Sequence, residues 1–203
     1  MHRDLRRIFT LLGAAVTLLA LAACTTQVAR VDSDETIDLS GQWNATDSRL
    51  VSAQIIEEVM AHPWAERYRE EHGREPVVII GQVRNRSHEH INVETFVRDV
   101  ERELINAANV DVVADSEARE ELRAEREDQA EHAAEETRQA IGRELGADFM
   151  LQGTLNSIVD QEGRREVVFY QVDMHMTSLA DNRRVWAGQK TIKKDVQRPR
   201  ARF

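Results

Sequence analysis

Pro76-Val77-Val78-Ile79-Ile80-Gly81 opens the stretch whose reading decides the fold, and Val110-Asp111-Val112-Val113-Ala114 closes it. Four β-branched residues after a proline suit a strand buried on both faces. A polar loop, Arg84 to Ile91, follows. Val93, Phe96, Val97, Val100 and Leu104 then recur at steps of three and four, which lays them along one helical stripe. Ile105 and Ala108 widen that stripe. Asn92 stands where its side-chain oxygen can accept an orphan N–H of the first turn. Residues 110–114 are too few and too β-branched for another helix, so they read as a second strand. Strand, helix, strand buries the stripe against a sheet, and the chain beyond is expected to extend it.

Downstream, Ser116 is expected to cap a helix reaching Leu145, with Gly146 as a left-handed end. Glu and Arg crowd it. Ala118, Leu122, Ala133, Thr137, Ile141 and Leu145 offer only a thin apolar line, and 124–131 reads as a loop or frayed segment. Such a charge run is a solvated face. Residues 147–155 begin a third strand ending near Val159, and Asp160 to Arg164 is a hairpin turn in which Gly163 can take positive φ. In the fourth strand, Val167 to Thr177, the apolar Val168, Tyr170, Val172, Met174 and Met176 alternate with Phe169, Gln171, Asp173, His175 and Thr177. One face of this strand is therefore wet. After a turn at Asp181-Asn182-Arg183, Val185, Ala187, Gln189 and Thr191 make a last strand with Trp186 on its opposite face. The order β-α-β-α-β-β-β predicts an α/β domain, a mixed sheet covered by helices.

Upstream, Asp47 or Ser48 is expected to cap a helix through His62, with Leu50, Val51, Ile55, Val59 and Met60 on its apolar face. Pro63 suits the start of a further turn, where its missing N–H costs nothing. Trp43, Trp64 and Tyr68 read as core packing of this helical layer.

The first residues have a different character. Arg3, Arg6 and Arg7 precede an apolar run from Ile8 to Ala23 that ends in Leu21-Ala22-Ala23-Cys24. A basic head and a short apolar run make a secretory signal, and the run falls short of the roughly 20 residues a spanning helix needs. Its end resembles the lipobox of bacterial lipoproteins. That likeness implies cleavage before Cys24, a diacylglycerol on its thiol and, with Thr25 next, the outer membrane. Cleavage brings the net charge from −9 to −11. The polar, proline-free run from Thr25 to Ser40 reads as a flexible tether, and the chain divides into leader 1–23, lipidated Cys24 and tether 24–40, domain 41–196 and basic tail 197–203.

The same numbers exclude several functions. A net charge of −9 argues against nucleic acid, which needs a basic footprint. With one cysteine no internal disulfide exists, and once Cys24 is acylated no thiol is left for catalysis. No glycine-rich phosphate loop or serine elbow is present. The stretch Arg84, Asn85, Arg86, Ser87, His88, Glu89 and His90 is the one cluster to weigh. His88 and His90 with Glu89, or with His62, would still be a weak metal set against the four ligands a structural site wants. The favoured reading is a polar loop ordered by hydrogen bonds, with Asn85 and Ser87 forming the turn, and available to a partner. No cofactor, metal or catalytic residue is expected, and His175 is expected at the surface.

Taken together, the lipobox at Cys24, Asp38-Leu39-Ser40-Gly41-Gln42-Trp43-Asn44 with Asp47-Ser48-Arg49-Leu50, Val77 to Ile91, the helix Val93 to Ala107, Leu145 to Gly153 and Val185-Trp186-Ala187-Gly188 resemble the LpoB family of lipoprotein activators of penicillin-binding proteins. The resemblance implies a non-catalytic domain, tethered to the outer membrane, that docks on a class A penicillin-binding protein and stimulates peptidoglycan synthesis. The terminal strands and the loop Arg84 to His90 are the candidate contacts. The family's best-known members carry a long proline-rich linker, whereas this tether is short. That difference favours a second reading, a structural or assembly lipoprotein binding another periplasmic protein or peptidoglycan.

Overall fold

The computed structural model describes residues 29–32, 35–107, 110–132 and 146–197. Contacts divide the chain into 1–35 and 36–203. In the first unit, the described residues carry no regular secondary structure. The leader and Cys24 lie outside the described residues, as do 133–145 of the charged helix and the tail from Arg198.

In the second unit two helices, α1 (Ala45–Ala61) and α2 (Trp64–His72), precede β1 (Val77–Arg86), α3 (Val93–Asn106), β2 (Asp111–Val113), α4 (Ser116–His132), β3 (Phe149–Glu162), β4 (Arg165–Ser178) and β5 (Arg184–Gln197). The strands form one sheet in the order β2-β1-β3-β4-β5. β1 runs parallel to both neighbours, and β3, β4 and β5 are antiparallel. This is the expected mixed α/β sheet.

Its core lies between one sheet face and helices α1 and α3. Val51, Ile55 and Val59 of α1, and Phe96, Val100 and Leu104 of α3, pack with Val78, Leu151, Leu155, Val168, Tyr170, Val172, Met174 and Met176. All are at most 1% exposed. Each such side chain contributes about 1.5–3 kcal/mol of transfer free energy. Phe96, Val100 and Leu104 and the β4 alternation are therefore where the sequence placed them, whereas Ile105, expected to widen the stripe, and Leu50, expected on the apolar face of α1, are exposed, and Ala108 lies outside the described residues. Trp64 is buried, its ring edge-on to Phe149 at 5.1 Å and its indole N–H donating to the Val59 carbonyl at 2.9 Å.

Several boundaries differ from expectation. The α1 cap is Asn44, not Asp47 or Ser48. Asn44 Oδ1 accepts the Asp47 N–H at 3.1 Å, and Asp47 reaches back to the Asn44 N–H at 2.9 Å. Such a reciprocal box satisfies two orphan donors at once. Pro63 precedes α2 as its cap, and Gly73 ends that helix at φ +68°. Asp115, not Ser116, caps α4 by accepting the Ala118 N–H at 2.9 Å. The segment 124–131 is helical throughout. The β3–β4 turn is only Gly163-Arg164, with Gly163 at φ +60°.

The largest correction concerns β1, which does not stop at Gly81. A register shift between Ile80 and Val83 lets it re-pair with β3, so Arg84 faces Thr154, Asn85 faces Leu155 and Arg86 faces Asn156. Gly81 sits inside this irregularity, where a Cβ would come within 2.9 Å of Met150 and Gln152 side-chain atoms. Arg84, Asn85 and Arg86 are strand residues, and the loop proper is 87–92.

Candidate docking surface

The chain leaves β1 toward β2 on one side of the sheet and leaves β3 toward β4 on the other. The carboxyl end of β1 is thus a topological switch point, the place where open α/β sheets form crevices. Loop 87–92 stands there, and side-chain bonds close it. Ser87 Oγ donates to Asn85 Oδ1 at 2.7 Å and accepts the Glu89 N–H at 3.2 Å. The Ser87 N–H also reaches Asn85 Oδ1, at 2.9 Å, and Asn85 Nδ2 donates to the Glu89 carbonyl at 2.8 Å. The expected loop ordered by Asn85 and Ser87 is present. His88 and His90 are exposed, with His88 Nδ1 2.6 Å from Ser157 Oγ.

Glu89 points inward, its side chain 12% exposed. One oxygen accepts the Trp43 N–H at 3.1 Å, and the other accepts the Tyr170 hydroxyl. That hydroxyl also lies 3.0 Å from the Gly41 carbonyl oxygen. Burial, and then the neighbouring Glu89 carboxylate, push the Tyr170 phenol far above its ordinary range, so it is always the donor. A strap formed by residues 38–44 is thereby held over the ends of β4 and β5. Lys194 holds it a second time, 2.6 Å from Asp47, 3.1 Å from Asp38 and 2.9 Å from the Gln42 carbonyl. A Cβ on Gly41 would fall 2.4 Å from Val196 Cγ2, so any larger residue at this point of the strap must displace that side chain. Strap and loop flank a cleft of about 1260 Å³.

His88, Glu89 and His90 are thus committed differently from a ligand set: the carboxylate is turned inward, His88 lies between Ser157 Oγ and Glu89 (Nε2 to Oε1 3.4 Å), and His90 is exposed. His62 lies between α1 and α2, with a buried Nδ1 that has no hydrogen-bond partner among the described residues. Among the described residues no group of three His, Cys, Asp or Glu is placed to hold a metal ion.

Arg84 and Arg86 take the opposite direction from Asn85. Register puts Arg84 in a row with Thr154, Asp173 and Gln189, and Arg86 in a row with Asn156, Gln171 and Thr191. The intervening row, Asn85, Leu155, Val172 and Lys190, faces the helices. Asp173 organises the outer face by accepting from Asn156 Nδ2 at 3.2 Å, Gln171 Nε2 at 2.9 Å and Gln189 Nε2 at 3.0 Å. Arg84 donates to Gln82 Oε1 at 3.1 Å, and Arg86 has no partner among the described residues. His175 is half-buried on this face, and burial, followed by the Arg184 charge, holds its pKa below the usual imidazole value. The predicted cluster therefore divides into a cationic border on a polar sheet face (Arg84, Arg86), a turn (Asn85, Ser87), an inward clamp (Glu89) and two exposed imidazoles.

Sequence reasoning did not find the strap's anchors Tyr170 and Lys194. It did find the wet side of β4. The sequence profile described as peptidoglycan-synthase activator LpoB matches residues 47–192, most of the chain. The chain belongs to the LpoB family. Among solved structures, the LpoB C-terminal domain from Escherichia coli is similar at 12% identity and a TM-score of 0.42, covering 73% of this chain and 99% of that one. Lipoprotein GNA1162 from Neisseria meningitidis is similar at 13% identity and a TM-score of 0.37, covering 62% and 88%. The PelC dodecamer from Paraburkholderia phytofirmans is similar at 15% identity and a TM-score of 0.32, covering 59% and 71%. No curated protein matches the chain significantly. Among the described residues no helix is long and apolar enough to cross a membrane.

Proposed function

We propose that this LpoB-family chain is an outer-membrane lipoprotein, anchored through Cys24, that docks on a class A penicillin-binding protein and stimulates peptidoglycan synthesis without catalysing a reaction itself. The observation that carries the docking surface is the outer sheet face. Its amide side chains are already tied to Asp173, so little side-chain freedom is lost on contact. Arg84 and Arg86 border it on a chain of net charge −9, and guanidinium forks suit carboxylates on a partner. Activation follows if the partner's active conformation makes the better contacts, because a ligand shifts an equilibrium by its differential affinity.

The test is a pull-down of the synthase by wild-type protein and by an Arg84→Glu/Arg86→Glu variant. Capture by the first and not the second supports the surface, and equal capture overturns it. Changing Cys24 to Ala releases the protein from membranes if the anchor is as proposed, and a variant that still fractionates with the outer membrane overturns the anchor.

One observation favours the second reading, a structural or assembly lipoprotein. Asp38 is already tied to Lys194 and Asn44, which leaves the thirteen residues 25–37 between Cys24 and that anchor. Thirteen extended residues reach about 45 Å. A partner at or near the outer membrane, or peptidoglycan, is within that reach.

A further inference from the structure

Strap and loop meet on a single carboxylate. Glu89 holds the strap through the Trp43 N–H, and its other oxygen accepts the Tyr170 hydroxyl, which ties the carboxylate to β4. The loop turn is closed on the same residue, through its N–H to Ser87 and its carbonyl to Asn85. We propose that Glu89 is a positioning residue that makes the strap 38–44 and the loop 87–91 open and close as one unit.

The reason is the cost of a poorly solvated carboxylate that loses its donors. When the strap lifts, the Trp43 N–H leaves Glu89. The carboxylate regains water only by swinging outward, and that motion pulls on a backbone turn fastened at both sides of Glu89. Conversely, opening the turn withdraws the carboxylate from Trp43 and Tyr170, and the strap loses an anchor. The second anchor, Lys194 with Asp38, Asp47 and the Gln42 carbonyl, touches no loop residue. It therefore provides a handle on the strap alone. One consequence rests on the docking reading above: if the partner's contacts extend from Arg84 and Arg86 onto the adjoining loop, it stabilises the closed strap by the same factor with which strap closure tightens docking. The coupling itself needs no partner, so the two ideas fail separately.

Amide hydrogen exchange on the purified protein reads local opening segment by segment. Asp38 is half-exposed, so Asp38→Ala weakens the strap without opening a core. It is expected to speed exchange by about threefold, the scale of an exposed ion pair, in residues 40–44 and by the same factor in residues 87–91. Glu89→Gln is expected to speed both segments about tenfold, the scale of a hydrogen bond to a charged group. In the Glu89→Gln background, Asp38→Ala should then act on the strap only. The proposal is overturned if Asp38→Ala alone leaves loop exchange unchanged, if it leaves the strap unchanged, if Glu89→Gln moves only one segment, or if the Asp38 effect still reaches the loop once Glu89 is replaced.

Discussion

Tyr170→Phe isolates one atom at the centre of the strap. Tyr170 is fully buried, and its ring is edge-on to Trp43 at 5.5 Å. Phenylalanine keeps that ring and that contact, so the substitution removes only the hydroxyl. Among the described residues, the Glu89 oxygen it served keeps only His88 Nε2, at 3.4 Å. A hydrogen bond to a charged group contributes about 1.5–3 kcal/mol net, and leaving its buried partner unpaired costs a similar amount. A loss of about 2 kcal/mol is expected. For a chain of this size that lowers Tm by about 4–8 °C. Urea unfolding should show a lower midpoint with unchanged slope, since no surface is newly exposed. In a Glu89→Gln background the same change should cost only about 1 kcal/mol, the value for a neutral pair. A loss below about 0.5 kcal/mol in the wild-type background, the scale of an inert surface substitution, would refute the reasoning. Glu89 would then be satisfied by water and the strap held by other means.

Two further predictions concern the sheet and its lower end. Gly153→Ala should unfold or severely destabilise the protein, because the new Cβ would lie 2.1 Å from Met174 Sδ and 2.6 Å from the Asp173 carbonyl oxygen, and a backbone atom of a central strand cannot yield; circular dichroism on heating checks this, and a Tm within 2 °C of wild type, as an order of magnitude, would contradict it. Asp148 feels burial that raises its pKa, outweighed by the paired Arg74 contacts at 2.8 Å, the Val77 N–H and Tyr68, so its folded pKa lies below the ordinary carboxylate value. The unfolded state therefore binds its proton first as pH falls, and the stability Asp148 provides, complete above about pH 4, is lost as pH drops through the folded value. Asp148→Asn should be less stable at pH 7 and lose less of its urea midpoint below pH 4, whereas parallel wild-type and variant curves would contradict the sign.

The parts of the fold that could be read from the chain are those governed by local periodicity. Phe96, Val100 and Leu104 are spaced for one face and occupy it, and Val168 to Met176 alternate as a half-buried strand must. Asn92 caps α3 by accepting the Glu94 N–H, as its position suggests. What was hidden depends on register and on distant partners. The shift between Ile80 and Val83 has no local signature beyond Gly81, and it alone decides that Arg84 and Arg86 join the outer face while Asn85 does not. Glu89 looks like one more polar loop residue until Tyr170, 81 positions away, and Trp43, 46 positions away, are brought to it. Lys194 reads as a solvated lysine, yet Asp47 and the strap leave its side chain 11% exposed. The outer face was half legible: alternation exposed Gln171 and Asp173, but only strand pairing could add Asn156 and Gln189 to them.

The most direct test is the rate of glycan polymerisation by the purified class A synthase of the same organism, with and without this protein. The account predicts that wild-type protein raises the rate and that the Arg84→Glu/Arg86→Glu variant, folded with an unchanged Tm, does not. An unchanged synthase rate with the wild-type protein, or equal stimulation by the variant, would contradict it.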